Sequence, residues 1–161
     1  PREILDLHTT AVVSDDWLAW AIAHARVGAG LKLIYNTDTS LRAVRRLEAG
    51  EALLVIGDNA LGHQSKTLSV RLLDGTVALP RGIARLSRLC QSPIVSFYVL
   101  PLGPRRWRAS FDKPIDPPAR RGRAAAEQEV LQQVADRWSA VIRRHPEHWW
   151  ANFKISWESE E

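Results

Sequence analysis

The spacing of apolar residues changes along this chain, and each change marks an element. Ile4 to Leu7 is a short apolar run ending at His8, which predicts a first strand. Ser14, Asp15 and Asp16 stand ahead of the Ala-rich stretch Trp17 to Ala23. Short polar residues there predict a helix start, and acids at that end suit the helix dipole. Gly28 and Gly30 end that helix, and Leu31 to Tyr35 reads as a second strand. Thr39 or Ser40 caps a second helix through Glu48, closed by Gly50. Ala52 to Ile56 is continuously apolar, as in a strand buried on both faces of a parallel sheet, and ends at Gly57-Asp58.

The second half carries clearer turn signals. Asp74-Gly75 between Ser69–Leu72 and Val77–Leu79 predicts a hairpin or tight turn. Pro80 opens a helix through Cys90, and Pro93 to Leu100 is a further apolar strand. After a turn at Pro101 to Pro104, Trp107, Ala109 and Phe111 alternate with Arg106, Arg108 and Ser110. That period of two predicts a half-buried strand. Pro114 to Gly122 reads as a loop. Val130, Leu131, Val134, Trp138, Val141 and Ile142 form one apolar face of a final helix that stops before Pro146.

Strands alternating with helices predict an α/β domain with a mostly parallel central sheet flanked by helices. Ligands in such sheets sit beyond the carboxyl ends of the strands, where this reading places His8 and Asp58.

Composition narrows the class without naming a reaction. A chain of 161 residues suits one domain, read here as spanning 1–161. Apolar residues make up 45% and charged residues 25%, which excludes wholesale disorder. No run approaches the roughly 18 apolar residues of a membrane-crossing helix. No signal peptide is recognisable, so the cytoplasm is the expected compartment. The single Cys90 excludes an internal disulfide and a multi-cysteine zinc site. The chain has seven Trp and no Met, and starts at Pro1. Removal of an initiator Met, or excision from a longer parent, accounts for both the start and the missing Met.

The net charge of +4 hides a strong asymmetry. Between Arg105 and Arg123, seven basic residues face two acids, a local +5, whereas Glu158 to Glu161 carry −3. Such a patch meets phosphate groups, a lipid head-group, an acidic carrier protein or nucleic acid, or is a solvated surface. Nucleic acid rests on charge alone and is not the expected partner.

His8 is the leading catalytic candidate. A carboxylate from Asp15 or Asp16 would fix its tautomer and leave the other ring nitrogen to take a proton from a hydroxyl. The plainer alternative is a hydrogen-bonded loop histidine beside two helix-start acids. Cys90, among helical residues, reads as a structural thiol. His145 and His148 have a metal-compatible spacing, but no further His or Cys lies nearby and Pro146 interrupts the helix, so no metal is expected. Gly57 to Gly62 lacks the Gly-Lys-Ser/Thr ending of a phosphate loop, so Asp58 either meets a ligand or forms a turn. Trp149 and Trp150 plug a core or sit at an interface.

Three blocks carry a family resemblance. They are Arg46-Leu47-Glu48-Ala49-Gly50-Glu51-Ala52-Leu53-Leu54-Val55-Ile56-Gly57-Asp58, then Leu79 to Pro101, then His145-Pro146-Glu147-His148-Trp149-Trp150-Ala151-Asn152-Phe153-Lys154. In order and spacing, the chain from about Arg45 onward resembles the bacterial lipid A biosynthesis (late) acyltransferases, within the lysophospholipid acyltransferase superfamily. The resemblance implies an acyltransferase-like α/β fold and acyl transfer from an acyl-carrier-protein or CoA thioester to a hydroxyl of a lipid or glycolipid. It implies no cofactor and a general-base histidine in a His-x4-Asp/Glu motif, for which His8 matches by context. Asp58, Arg81, Arg105, Arg106 and Arg108 are the candidate substrate-binding residues.

The chain also departs from that pattern. Position 13, where the acid is expected, is Val13, and the nearest acids are Asp15 and Asp16. Only Asn36 to Arg45 separate the second strand from the Arg-Leu-Glu helix, and the family's N-terminal anchor has no counterpart. A shortened, trimmed or degenerate member is therefore expected, either active with peripheral contact on the inner face of the cell membrane, or inactive and binding a lipid or protein partner.

Overall fold

The computed structural model describes residues 7–11, 17–35, 39–55, 66–121, 124–149 and 155–157. They fall into two units, Pro1–Ile56 and Gly57–Glu161.

The first unit alternates strand and helix. β1 (Leu7–Ala11) is followed by α1 (Trp17–Gly28), β2 (Lys32–Tyr35), α2 (Thr39–Glu48) and β3 (Ala52–Leu54). The strands form one parallel sheet in the order β2-β1-β3. Parallel neighbours cannot be joined by a tight hairpin, so each connection needs a crossover, here a helix. α2 turns Ala43, Val44 and Leu47 inward and leaves Arg42, Arg45 and Arg46 exposed. Among the described residues of this unit, Ile34 and Ala43 are the buried apolar ones.

Both helices stop in the same way. At the end of α1, Leu31 N–H donates to Arg26 C=O (3.0 Å) and Gly30 N–H to Val27 C=O (2.9 Å). At the end of α2, Glu51 N–H donates to Arg46 C=O (3.0 Å) and Gly50 N–H to Leu47 C=O (3.1 Å). These paired bonds form a Schellman stop, which needs a left-handed residue. Gly30 (φ 85°) and Gly50 (φ 80°) supply it. Each stop turns the chain directly into the next strand.

The second unit is antiparallel where its strands pair. β4 (Thr67–Leu72) and β5 (Gly75–Pro80) form a hairpin, and β8 (Ile155–Trp157) adds to β5. β6 (Phe97–Gly103) and β7 (Arg106–Phe111) form a separate two-stranded ribbon. α3 (Gly82–Cys90) follows β5, and α4 (Ala124–Arg144) follows the Pro-rich loop. Parallel pairing is thus confined to the first unit among the described strands, which form three small sheets within the expected α/β class rather than one mostly parallel sheet.

The core of this unit lies between α4 and the β4–β5 hairpin. Val70, Leu72, Val77 and Leu79 meet Val130, Leu131, Val134, Ala135 and Ile142, together with Ala84 and Ile115. Buried α4 residues recur at three- and four-residue spacing, as one helical face requires. β4 is an edge strand, and its outward backbone groups would otherwise be unpaired. α4 meets them with side chains. Gln128 Nε2 donates to Ser69 C=O (2.9 Å) and Gln132 Nε2 to Arg71 C=O (2.9 Å). Arg71 N–H donates to Gln132 Oε1 and Leu73 N–H to Ser139 Oγ, both at 2.8 Å.

Two local expectations change. The hairpin turn lies at Leu73-Asp74 rather than Asp74-Gly75: Leu73 is left-handed (φ 57°), and Gly75 already begins β5, paired with Leu72. Leu73 packs on the core and bonds Ser139, contacts that hold it in a conformation glycine adopts more readily. In β7, Trp107, Ala109 and Phe111 are all exposed rather than half-buried, because the ribbon pairs only with itself.

Candidate active site

His8 is the second residue of β1, not a residue beyond its carboxyl end. The strand continues because Thr9 and Thr10 extend it, and β-branched residues favour the pleated backbone. His8 pairs with Lys32 of β2 on one side and Leu53 of β3 on the other. In the middle strand of a sheet its side chain is buried, at 2% exposure.

Its partner is a carboxylate. Nε2 of His8 lies against Oε2 of Glu51, the residue just before β3. Both atoms are buried, and neither makes a hydrogen bond of good geometry among the described residues, the contact between them included. The other Glu51 oxygen, Oε1, accepts from Arg46 Nη1 at 3.3 Å. The Schellman stop explains this placement. Glu51 N–H is tied to Arg46 C=O, so the end of α2 delivers both side chains to the edge of β3. Ala52 then pairs with Leu7, setting Glu51 beside the start of β1.

Chemically, a carboxylate against Nε2 favours the tautomer with the proton there and leaves Nδ1 as the basic nitrogen. It also stabilises an imidazolium once a proton is taken. Arg46 holds the second oxygen and so limits rotation of the carboxylate.

Of the other sequence candidates, Asp15, Asp16 and Asp58 lie outside the described residues. Arg81, just before α3, is committed to Glu127. Its Nε bonds Glu127 Oε2, and Arg88 Nε donates to Oε1 at 2.6 Å. Glu127 is fully buried in α4. Burial alone would raise its carboxyl above the usual range, but hydrogen bonds from Arg81 and Arg88 outweigh that and hold it below. Glu127 in turn raises the Arg81 guanidinium through their hydrogen bond. This clamp fastens α3 to α4. Arg105, Arg106 and Arg108 are exposed at the tip and outer strand of the β6–β7 ribbon.

His145 and His148 flank Glu147 in a short 3-10 turn (Pro146–His148), with Glu147 Oε1 3.9 Å and 3.3 Å from their ring nitrogens. The described residues contain no group of three or more side chains able to hold a metal. Cys90 is half-buried at the end of α3, and Trp149 packs against the core. No helix among the described residues is long and apolar enough to cross a membrane.

Sequence reasoning missed two residues, Glu51 and Glu127. Glu127 left a signal, since it is an acid on the apolar stripe of a helix. Glu51 left only its position between a helix-stopping glycine and a strand.

The comparisons bear on most of this chain. The family model described as bacterial lipid A biosynthesis acyltransferase matches residues 9–154. The match begins one residue after His8. No curated protein matches the sequence.

Proposed function

From the premise that the chain belongs to the bacterial lipid A biosynthesis acyltransferase family, we propose that it transfers an acyl group from a thioester to a hydroxyl of a lipid or glycolipid acceptor, with His8 as general base. Family membership supports acyltransferase activity in general. The observation that carries the finer reading is the buried contact between His8 Nε2 and Glu51 Oε2.

In this mechanism Nδ1 of His8 takes the acceptor hydroxyl proton. The alkoxide oxygen bonds to the thioester carbonyl carbon, the C–S bond breaks, and the thiolate leaves and recovers the proton. Glu51 positions His8 and stabilises its charged form. The donor is an acyl-carrier-protein or CoA thioester, and no metal or redox cofactor enters the step. Asp15 and Asp16 remain candidates for orienting His8, and Asp58 for meeting the substrate.

A second reading has its own support. His8 is inside a strand with little exposure. This observation favours a fold that has kept lipid or protein binding and lost catalysis.

The test is acyl transfer by the purified chain, with acyl-carrier-protein and CoA thioesters offered to a glycolipid acceptor. Turnover that disappears in His8→Ala supports the first reading. Turnover unchanged by that substitution removes His8 from the mechanism. A wild-type chain that binds acceptor lipid without turnover supports the second reading.

A further inference from the structure

The β6–β7 ribbon exposes an apolar face. Cross-strand partners in a ladder share a face, and the pairs here are Phe97 with Phe111, Val99 with Ala109, and Pro101 with Trp107. The rings of Phe97 and Phe111 stack with centroids 5.7 Å apart. Trp107 is 66% exposed and Phe111 71%, and Phe97, Val99 and Leu102 are exposed as well. Large aromatic side chains are ordinarily where burial is most favourable, so several on one uncovered face mark an interaction surface.

The charge of the ribbon says what covers it. From Phe97 to Phe111 the sequence holds three arginines, Arg105, Arg106 and Arg108, and no acid. None of the three is ion-paired among the described residues. They flank Trp107 at the ribbon tip. An apolar face alone would suit a protein or a second copy of the chain. Uncompensated arginines around an exposed Trp instead match the boundary of an anionic bilayer. There an indole ring sits at head-group level and guanidinium groups meet lipid phosphates. The ribbon is two strands wide, so arginines on its other face reach the rim on their long stems.

We propose that the β6–β7 ribbon is the surface by which the chain docks on an anionic lipid bilayer, with Trp107 and Phe111 entering the head-group boundary and Arg105, Arg106 and Arg108 binding lipid phosphates. This deepens the reading of the chain as one that acts on lipid, and it rests on that reading for its biological meaning. Docking itself needs no turnover, so it is measured apart from catalysis.

The experiment mixes the whole chain with vesicles of phosphatidylglycerol and phosphatidylcholine, or of phosphatidylcholine alone, and reads the sedimented fraction. Binding is expected on the anionic vesicles and at least roughly tenfold weaker on the neutral ones. Arg105→Gln/Arg106→Gln/Arg108→Gln is expected to lower partitioning by about a hundredfold, from about fivefold for each cation at the surface. Trp107→Ser/Phe111→Ser is expected to lower it by roughly tenfold or more, whereas Trp107→Phe stays close to wild type. Circular dichroism reports folding, and should the serine variant unfold, the arginine variant decides. His8→Ala is expected to bind as wild type does, which separates a failure of docking from a failure of catalysis. Equal binding to neutral vesicles, no vesicle binding, or binding untouched by the folded variants overturns the assignment. A dimer in light scattering that Trp107→Ser dissolves, without vesicle binding, overturns it in favour of self-association. Capture of duplex or single-stranded DNA in place of vesicles overturns it in favour of nucleic acid.

Discussion

Glu51, at the end of a helix, holds Nε2 of His8, a residue in the middle strand of the first sheet. Between them lie a helix, a strand and a second helix, so only the folded sheet brings the two together. The remaining Glu51 oxygen is held by Arg46, which gives the imidazole a fixed partner.

That relationship sets the first prediction. His8→Ala is expected to lower acyl transfer by roughly 10²–10⁴, the usual range for a general base. Glu51→Gln keeps the shape but loses the charge, and is expected to lower kcat on the order of 10² with KM little changed. Asp15→Asn and Asp16→Asn run in parallel show which carboxylate orients the base. A kcat unmoved by Glu51→Gln removes Glu51 as the positioning residue.

Glu127 makes the second unit acid-sensitive. Its carboxyl is held below the ordinary value of 4.5, so the folded state binds its proton less readily than the unfolded chain does. The resulting stability is present above about 4.5 and fades as pH falls through the lowered folded value. Glu127→Gln is expected to destabilise the chain by about 2–3 kcal/mol at neutral pH, since it leaves two half-buried guanidinium groups without their carboxylate. The same substitution should flatten the acid limb of the stability curve, read by denaturant unfolding from pH 7 to 3. An unchanged acid limb would show that the clamp does not titrate in this window.

Two glycines separate backbone conformation from space. A Cβ at Gly50 or at Gly82 meets nothing within 4 Å, but only Gly50 has a positive φ. Gly50→Ala is expected to cost about 1 kcal/mol and to lower acyl transfer by shifting Glu51. Gly82→Ala, in the first turn of α3, is expected to stabilise by about 0.5 kcal/mol. Thermal melts compare the two directly, and equal effects would contradict the assignment of the cost to φ.

Ser139 is a polar partner of the β4–β5 turn, beside Arg143, which bonds Asp74 there. Ser139→Ala leaves Leu73 N–H without its acceptor and is expected to cost about 1–2 kcal/mol. Amide hydrogen exchange at Leu73 should quicken more than exchange in α4. Uniform quickening would point to global destabilisation instead.

Much of the local structure was legible in the sequence. The helix stops at Gly30 and Gly50, the hairpin around Asp74, the inner face of α4 and the order of elements as far as α4 all follow from short-range periodicity and turn chemistry, whereas β8 was not foreseen. These depend on residues within one or two turns of each other, so a linear reading reaches them. The family resemblance was legible for the same reason, as blocks of contiguous residues.

Pairing was not legible. Whether an apolar strand joins a parallel or an antiparallel neighbour depends on which segments meet, and period alone does not encode that. The Pro93–Leu100 run reads as a further apolar strand, and from Phe97 it pairs with β7 in a ribbon whose aromatic face is exposed. The sequence likewise marked His8 as chemically capable and placed it at a strand end near Asp15 and Asp16. The tertiary structure moved His8 into the strand and set Glu51 on it, because parallel register carries β3 alongside β1. Polar contacts such as His8–Glu51 and Arg81–Glu127 act over a few ångströms between residues far apart along the chain. The sequence by itself determined which residues could do chemistry, and only the three-dimensional packing decided which of them meet.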